Sequence, residues 1–296
     1  MSVRYQFEKM VIVGVGLIGG SLARVVRHKR IAANVVGVTK SRESIEKALK
    51  LGVIDAGTNS LGEALPGADI VVLATPVKTL ERQLGEVATL TSEDCTVTDV
   101  GSVKSNLVEA VATGFPSMLK RFVPGHPIAG KESSGVEAST ADLFAGKNVI
   151  ITPTDQSSFH HIERITRLWE SVGAQVLSMS PADHDRVFAW TSHLPHAVAF
   201  ALVKAMASHP ESDTMFDLAA GGFYDFTRIS SSDPVMWRDV SLANKDALLE
   251  AISSYKETLS ELEQLISSGD EKGIEQYFQQ ARDARNMGLE HKNGNV

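Results

Sequence analysis

The 296-residue sequence contains one cysteine, Cys95. That excludes an internal disulfide and any cysteine-built metal cage, fits a reducing compartment, and leaves strand packing as the expected role of this thiol. No block of Lys and Arg stands out and the net charge is -7. Neither nucleic acid nor an anionic membrane surface is therefore favoured as a partner, and a small molecule fits better. No stretch reaches the ~18 continuous apolar residues of a membrane span. The first residues, MSVRYQFEKM, have no apolar signal-peptide core, so the expected location is cytoplasmic. Internal repeats and low-complexity segments are also missing. What is present is an ordinary globular composition, 43% hydrophobic and 22% charged, in a length that suits one large domain or two.

The stretch Lys9 to Ser21, KMVIVGVGLIGGS, organises the chain. An apolar run leads into Gly14-x-Gly16-x-x-Gly19, and apolar residues then continue through Leu17, Ile18, Leu22, Val25 and Val26 at helical spacing. Strand, tight turn and helix are predicted. One glycine turns the chain, one lets a pyrophosphate approach bare backbone, and one lets helix pack on strand. The N–H groups and the positive end of the helix dipole suit phosphates. The usual acidic companion about 20 residues past the glycines is absent. Its place falls on Thr39, followed by Lys40, Ser41 and Arg42. Hydroxyls and cations there suit a 2′-phosphate, so NADP is expected ahead of NAD. The alternative is that Lys40 and Arg42 simply open a solvated helix.

Further strands are predicted at Asn34 to Val38, Asp69 to Ala74, Cys95 to Asp99, Arg121 to Val123, Asn148 to Thr152 and Gln175 to Ser178, with helical segments between most of them. Alternation of this kind implies an α/β, doubly wound Rossmann-type parallel sheet. From Pro181 onward no convincing strand remains. Segments Pro181 to Ser208, Asp213 to Ala220, Pro234 to Ser254 and Tyr255 to Gln280 carry apolar residues three and four apart. The expected division is residues 1–180 as a dinucleotide-binding domain and 181–296 as an all-helical domain.

Ligands of open α/β sheets bind beyond the carboxyl ends of the strands. Polar residues are therefore of interest in the glycine loop, Thr39 to Arg42, Thr75-Pro76-Val77 and Gly101 to Lys104. The segment Pro124 to Gly135, read as a loop, holds His126 between glycine and proline. Histidine exchanges protons near neutral pH, although a loop histidine bonded to backbone is an equal alternative. His193 and His196 fall one helical turn apart, a spacing that also serves metals, with only Asp183 and His184 as further ligands. Arg228 offers a planar fork for a carboxylate or is a surface residue.

In order, the segments VGVGLIGGS, DVGSVK, GHPIAGKESSG, SHLPHA, GGFYDFTRI and SDPVMWRD resemble the prephenate/arogenate dehydrogenase family through nearly the whole chain. The resemblance implies oxidative decarboxylation of a cyclohexadienol in tyrosine biosynthesis, a helical domain that forms most of a homodimer interface, and no metal. It implies that His126 accepts the ring hydroxyl's hydrogen bond and that Ser102 orients His126 beside the nicotinamide. Arg228 then binds the ring carboxylate, with His196, His193 and Trp237 around the substrate, Trp237 from either subunit. Gly221 and Tyr224 belong to the same substrate motif, and Leu17, Ile18, Ala74, Thr75, Pro76 and Asp99 to the cofactor side. Lys131 and Glu132 would face the side chain that separates prephenate from arogenate: Glu132 suits an ammonium and Lys131 a carboxylate.

The length leaves no room for a chorismate mutase segment or an appended regulatory domain. A monofunctional enzyme is expected, with prephenate as the default substrate and tyrosine as a candidate inhibitor. Two rivals stand beside this reading. A β-hydroxyacid-type dehydrogenase would be expected to place a lysine on a glycine-rich helix, a setting Lys204 lacks. A catalytically silent nucleotide sensor would have no need of Ser102, His126 and Arg228 together.

Overall fold

A computed structural model of the chain describes residues 5–130, 133–292 and 294. Lys131 and Glu132 lie outside the described residues. The first half alternates strand and helix: β1 (Phe7–Val13), α1 (Leu17–His28), β2 (Ala32–Val38), α2 (Arg42–Lys50), β3 (Ala56–Thr58), α3 (Leu61–Ala64), β4 (Ile70–Leu73), α4 (Val77–Leu90), β5 (Thr96–Asp99) and α5 (Ser105–Gly114). These five strands form one parallel sheet in the order β3-β2-β1-β4-β5. Successive residues of β1 point to opposite faces, and both faces are covered. Met10 and Ile12 join Leu22, Val26 and Trp169 on one side. Val11 and Val13 join Leu65, Leu80 and Val97 on the other. A strand buried on both faces must be apolar throughout, which is why MVIV carries no alternation.

A second sheet follows, from β6 (Gly125–Pro127), β7 (Asn148–Ile151) and, after α6 (Phe159–Ser171), β8 (Gln175–Ser178). Here the structure corrects three expectations. His126 sits on a strand and not in a loop, because β6 pairs with β7, His126 opposite Ile150. That pairing is antiparallel, so the chain is not parallel throughout. Residues 121–123 form no strand of their own and join β5 only through one bridge, Val97 to Phe122.

Past residue 180 every element is helical: α7 (Pro181–Phe188), α8 (Leu194–Ala207), α9 (Ser212–Leu218), α10 (Gly221–Thr227), α11 (Pro234–Ala243), α12 (Lys245–Ser268) and α13 (Glu271–Lys292). The Ser180 hydroxyl caps α7 by accepting the Asp183 N–H at 3.0 Å, with Pro181 in the first turn. The expected single helix from Pro181 to Ser208 is interrupted by a π-helical turn, Ala189–His193. The last two breaks fall at Asn244 and at Gly269, whose φ of +66° is left-handed backbone that favours glycine. The chain divides into two compact units, one ending at Lys245 and the next beginning at Asp246. In the second unit the Tyr277 hydroxyl donates to the Thr258 carbonyl at 3.1 Å, and Leu259, Ile266, Phe278 and Met287 are exposed. Among the described residues no helix is long and apolar enough to cross a membrane.

Candidate active site

Parallel register aligns the ends of four strands. Val13 lies beside Val38 and Leu73, and Leu73 beside Asp99, so the loops after β1, β2, β4 and β5 open at one edge. The strand order reverses direction about β1 and β4, which is where such sheets leave a crevice. A cavity of about 720 Å³ lies there, lined by Gly14, Gly16, Thr39, Lys40, Ala74, Thr75 and Pro76 among others.

The three glycines differ. Gly14 has φ +100° and a Cβ on it would lie 2.5 Å from the Ala74 carbonyl oxygen. A Cβ on Gly19 would overlap the Gly14 carbonyl oxygen, so this position sets how closely α1 packs. A Cβ on Gly16 would meet nothing within 4 Å. Gly16 therefore faces open space at the start of α1, a cradle of the shape a pyrophosphate needs, and the residues present fit a dinucleotide. Leu17 and Ile18 begin α1 and pack against the core below it. Of the cations after β2, Lys40 lines the cavity, whereas Arg42 is exposed and pairs with Glu46 at 3.1 Å. Lys47 and Glu137, which also line it, pair at 2.5 Å.

Asp99 ends β5 but is buried in a different role. Its carboxylate pairs with the buried Lys104 ammonium and accepts the N–H of Gly101 at 2.7 Å. The Lys104 ammonium also donates to the Gly125 carbonyl at 2.8 Å, which ties β5 to β6 next to His126. Burial lowers the Lys104 pKa, opposed by Asp99.

His126 Nδ1 lies 2.8 Å from His184 Nε2, and His184 Nδ1 lies 2.8 Å from Asp185 Oδ1. The Asp185 carboxylate accepts the backbone N–H groups of Lys104 at 2.9 Å and Ser105 at 2.8 Å, at the first turn of α5. Phe188 closes the cluster, its ring centroid 4.7 Å from that of His126 and 4.5 Å from that of His184. Burial, with His184 and Lys104 adding to it, holds the His126 pKa well below 6.5. The imidazole is therefore uncharged at neutral pH, the state a proton acceptor requires.

The helical half contributes a second group. The Asn244 amide donates to the Asp185 carbonyl at 2.8 Å and lies 2.9 Å from His193 Nδ1. An amide NH₂ only donates, so Nδ1 accepts and Nε2 carries the proton of the neutral ring. His193 Nε2 is buried without a hydrogen-bond partner among the described residues. Burial pushes the His193 pKa down to about 4, with Asp185 and the Ser102 backbone working the other way. Ser102 thus stands beside His193, while the paired nitrogen of His126 goes to His184. His196 donates through Nδ1 to the Ser192 carbonyl at 2.9 Å and stacks on Trp237 at 3.6 Å between centroids. Burial also lowers its pKa, and Arg228 is near enough to add to the effect. A cavity of about 270 Å³ opens between His196, Phe200, Trp237 and Arg238. Gly221 and Tyr224 sit exposed on α10, the Tyr224 hydroxyl directed to the Phe216 carbonyl at 3.4 Å. Asp183 bonds to Ser180 and Arg186 and does not join His184.

Residues 22–178 match the prephenate dehydrogenase nucleotide-binding domain, and residues 180–280 match the prephenate dehydrogenase dimerization domain. The chain belongs to the prephenate dehydrogenase family. It is 36% identical to a prephenate dehydrogenase of Bacillus subtilis over 94% of this chain and 75% of that one. It is 32% identical to a cyclohexadienyl dehydrogenase of Zymomonas mobilis, over 94% and 95% of the two chains. Among solved structures, the prephenate dehydrogenase of A. aeolicus in complex with hydroxyphenyl propionate and NAD+ superposes with a TM-score of 0.89 at 42% identity, covering 97% of this chain and 99% of that one.

Within this family frame, sequence reasoning passed over Asp185 and Asn244, weighed His184 only as a metal ligand, and reached Lys104 only as the last residue of a loop of interest. The only local signal was the adjacent His-Asp pair four residues into a capped helix. The contacts that give it meaning cross 58 residues to His126 and 81 to Lys104.

Proposed function

We propose that this chain oxidatively decarboxylates prephenate, arogenate or both, with His126 accepting the proton of the ring hydroxyl. The observation that carries the reading is an uncharged histidine in the middle of β6, held near His193 and its Nε2–H, which has no hydrogen-bond partner among the described residues. When bound, the oxidised dinucleotide supplies the hydride acceptor. The rest is done by this chain. His126 takes the hydroxyl proton as the ring C–H pair departs as hydride and the C–O bond becomes a carbonyl. The bond to the ring carboxylate then breaks, CO₂ leaves, and its electron pair aromatises the ring. The resulting phenolate recovers the proton from His126, so none is released overall. Arg228 holds the carboxylate before it leaves, with His196, stacked on Trp237, beside it. The His193 Nε2–H is a donor for a substrate oxygen, and Ser102 stands beside His193.

The dinucleotide occupies the cavity over Gly16, its pyrophosphate on the first turn of α1. NADP is preferred, since Thr39 replaces the acid that would hold a free ribose diol and Lys40 lines the same cavity. The division at residue 180 separates the dinucleotide-binding domain from a helical domain that mediates homodimerisation. Tyrosine, which resembles the aromatic product, competes at the substrate site.

Absorbance at 340 nm with prephenate and arogenate, each with NAD+ and NADP+, tests the whole reading. Reduction with at least one substrate is expected, with a higher kcat/KM for NADP+. Absence of turnover with both substrates refutes the function, and a large advantage for NAD+ refutes the cofactor preference.

A further inference from the structure

We infer that Asp185 and His184 are positioning residues that fix His126 in its Nδ1–H tautomer, leaving the Nε2 lone pair as the one site that can take the substrate's proton. This rests on the reading of His126 as the base. Asp185 is ionised, because two backbone N–H groups and the first turn of α5 favour its carboxylate, and an ionised carboxylate only accepts. His184 Nδ1, 2.8 Å away, must then carry a proton. A neutral His184 has its lone pair on Nε2, and that nitrogen lies 2.8 Å from His126 Nδ1. His126 must donate there, so its own lone pair is on Nε2.

The reverse arrangement would set the lone pair of the buried His184 Nδ1 against the Asp185 carboxylate at 2.8 Å. A doubly protonated His184 would face the buried Lys104 ammonium, and burial lowers its pKa despite Asp185. Among the described residues, the charged and titratable groups facing the pair are Lys104, Asp99, Asp185 and His193, from the end of β5 and the segment after it, from α7 and from the π turn. Among the described residues His126 Nδ1 has His184 Nε2 as its hydrogen-bond partner, while the carboxylates of Asp99 and Asp185 are engaged elsewhere. The Asp185 carboxylate is also locked in rotation, since each oxygen holds a different N–H. Because the hydroxyl proton is lent and returned, Asp185 need not be protonated at any stage. It sets the direction of the ring and steadies the transient imidazolium.

Nitrogen-15 NMR of histidine-labelled protein reads the tautomer without turnover, with signals assigned from His126→Asn and His184→Gln. Protonated Nδ1 and bare Nε2 on His126 near pH 7.5 are expected, and the opposite pattern overturns the inference. Kinetics give the second readout. Asp185→Asn can present its NH₂ to His184 and reverse both tautomers. Its kcat should fall by ~10²-fold or more with KM changed little. Its acid limb should move to lower pH, because a charge favouring the imidazolium has gone. Asp185 also caps α5, so His184→Gln, which spares that cap, gives the independent test, with kcat down by about tenfold or more. Unchanged kcat in His184→Gln overturns the assignment. A protein inactive toward both substrates that still shows the expected tautomer refutes the proposed function and leaves the positioning intact.

Discussion

The cleft beside β1 and the histidine chain beside β6 are built by opposite means. In the cleft, glycines keep side chains away: Gly16 has no neighbour for a Cβ, and Gly14 and Gly19 bring backbone against backbone. Recognition there is a matter of space and exposed N–H groups. At β6 the space is filled. Lys104, Asp99, Asp185, His184 and Phe188 pack around His126, and the first three hold each other or the backbone through charge-assisted bonds. The cleft gains by leaving groups unpaired for a ligand. The cluster gains by leaving almost nothing unpaired, so that one nitrogen stands apart.

The sharpest way to break this contrast is Lys104→Met. It leaves the buried Asp99 carboxylate without its ammonium, and loss of one partner of a buried pair costs about 3–5 kcal/mol. Denaturant unfolding measures it, and a variant as stable as the parent would mean that the cluster is not held by its charges. Next comes His126→Asn, which should lower kcat by ~10²-fold or more while dinucleotide affinity, set in the cleft, stays near the parent value. Steady-state kinetics with fluorescence titration of the reduced cofactor checks both. A matched fall in cofactor affinity would show that the two regions are one. The smallest effect is expected at Gly16. Gly16→Ala should fold as well as the parent and raise the dinucleotide KM by about tenfold, equivalent to ~1.4 kcal/mol. Gly14→Ala, at positive φ, should instead lose about 1–3 kcal/mol of stability. Equal thermal melts for the two alanine variants would remove the distinction between the glycines.

The same contrast decides what could be read from the sequence. The cleft is legible because its parts are neighbours in the chain. An apolar run, three glycines and an amphipathic helix lie within Lys9 to His28, and the missing acid at Thr39 follows at a fixed interval. The parallel order of the sheet follows from the same local alternation. The cluster is not local. His126 could be singled out as a histidine in a glycine and proline setting, but the residues that orient it arrive from α7 and from the segment after β5. β6 reads as a loop in the sequence because Gly125 and Pro127 are poor strand formers, and only its pairing with β7 makes it a strand. β3 is hidden in the sequence for a similar reason: Ala-Gly-Thr has no apolar run, and its pairing with β2 decides its state.

The π-helical turn at Ala189–His193 bears on how this protein can change over evolutionary time. It lies between Asp185, which serves His126, and His196, which stacks on Trp237, on one nearly continuous helical path. A π turn accommodates an extra residue within an α-helix. A one-residue deletion in the regular helix on either side would rotate everything beyond it by about 100°. A deletion inside the turn instead restores ordinary α-helical bonding and keeps His196 and the rest of α8 close to their present register. The turn is thus the place on this path where a change of length can be absorbed, at the risk of the one contact made from within it, His193 to Asn244.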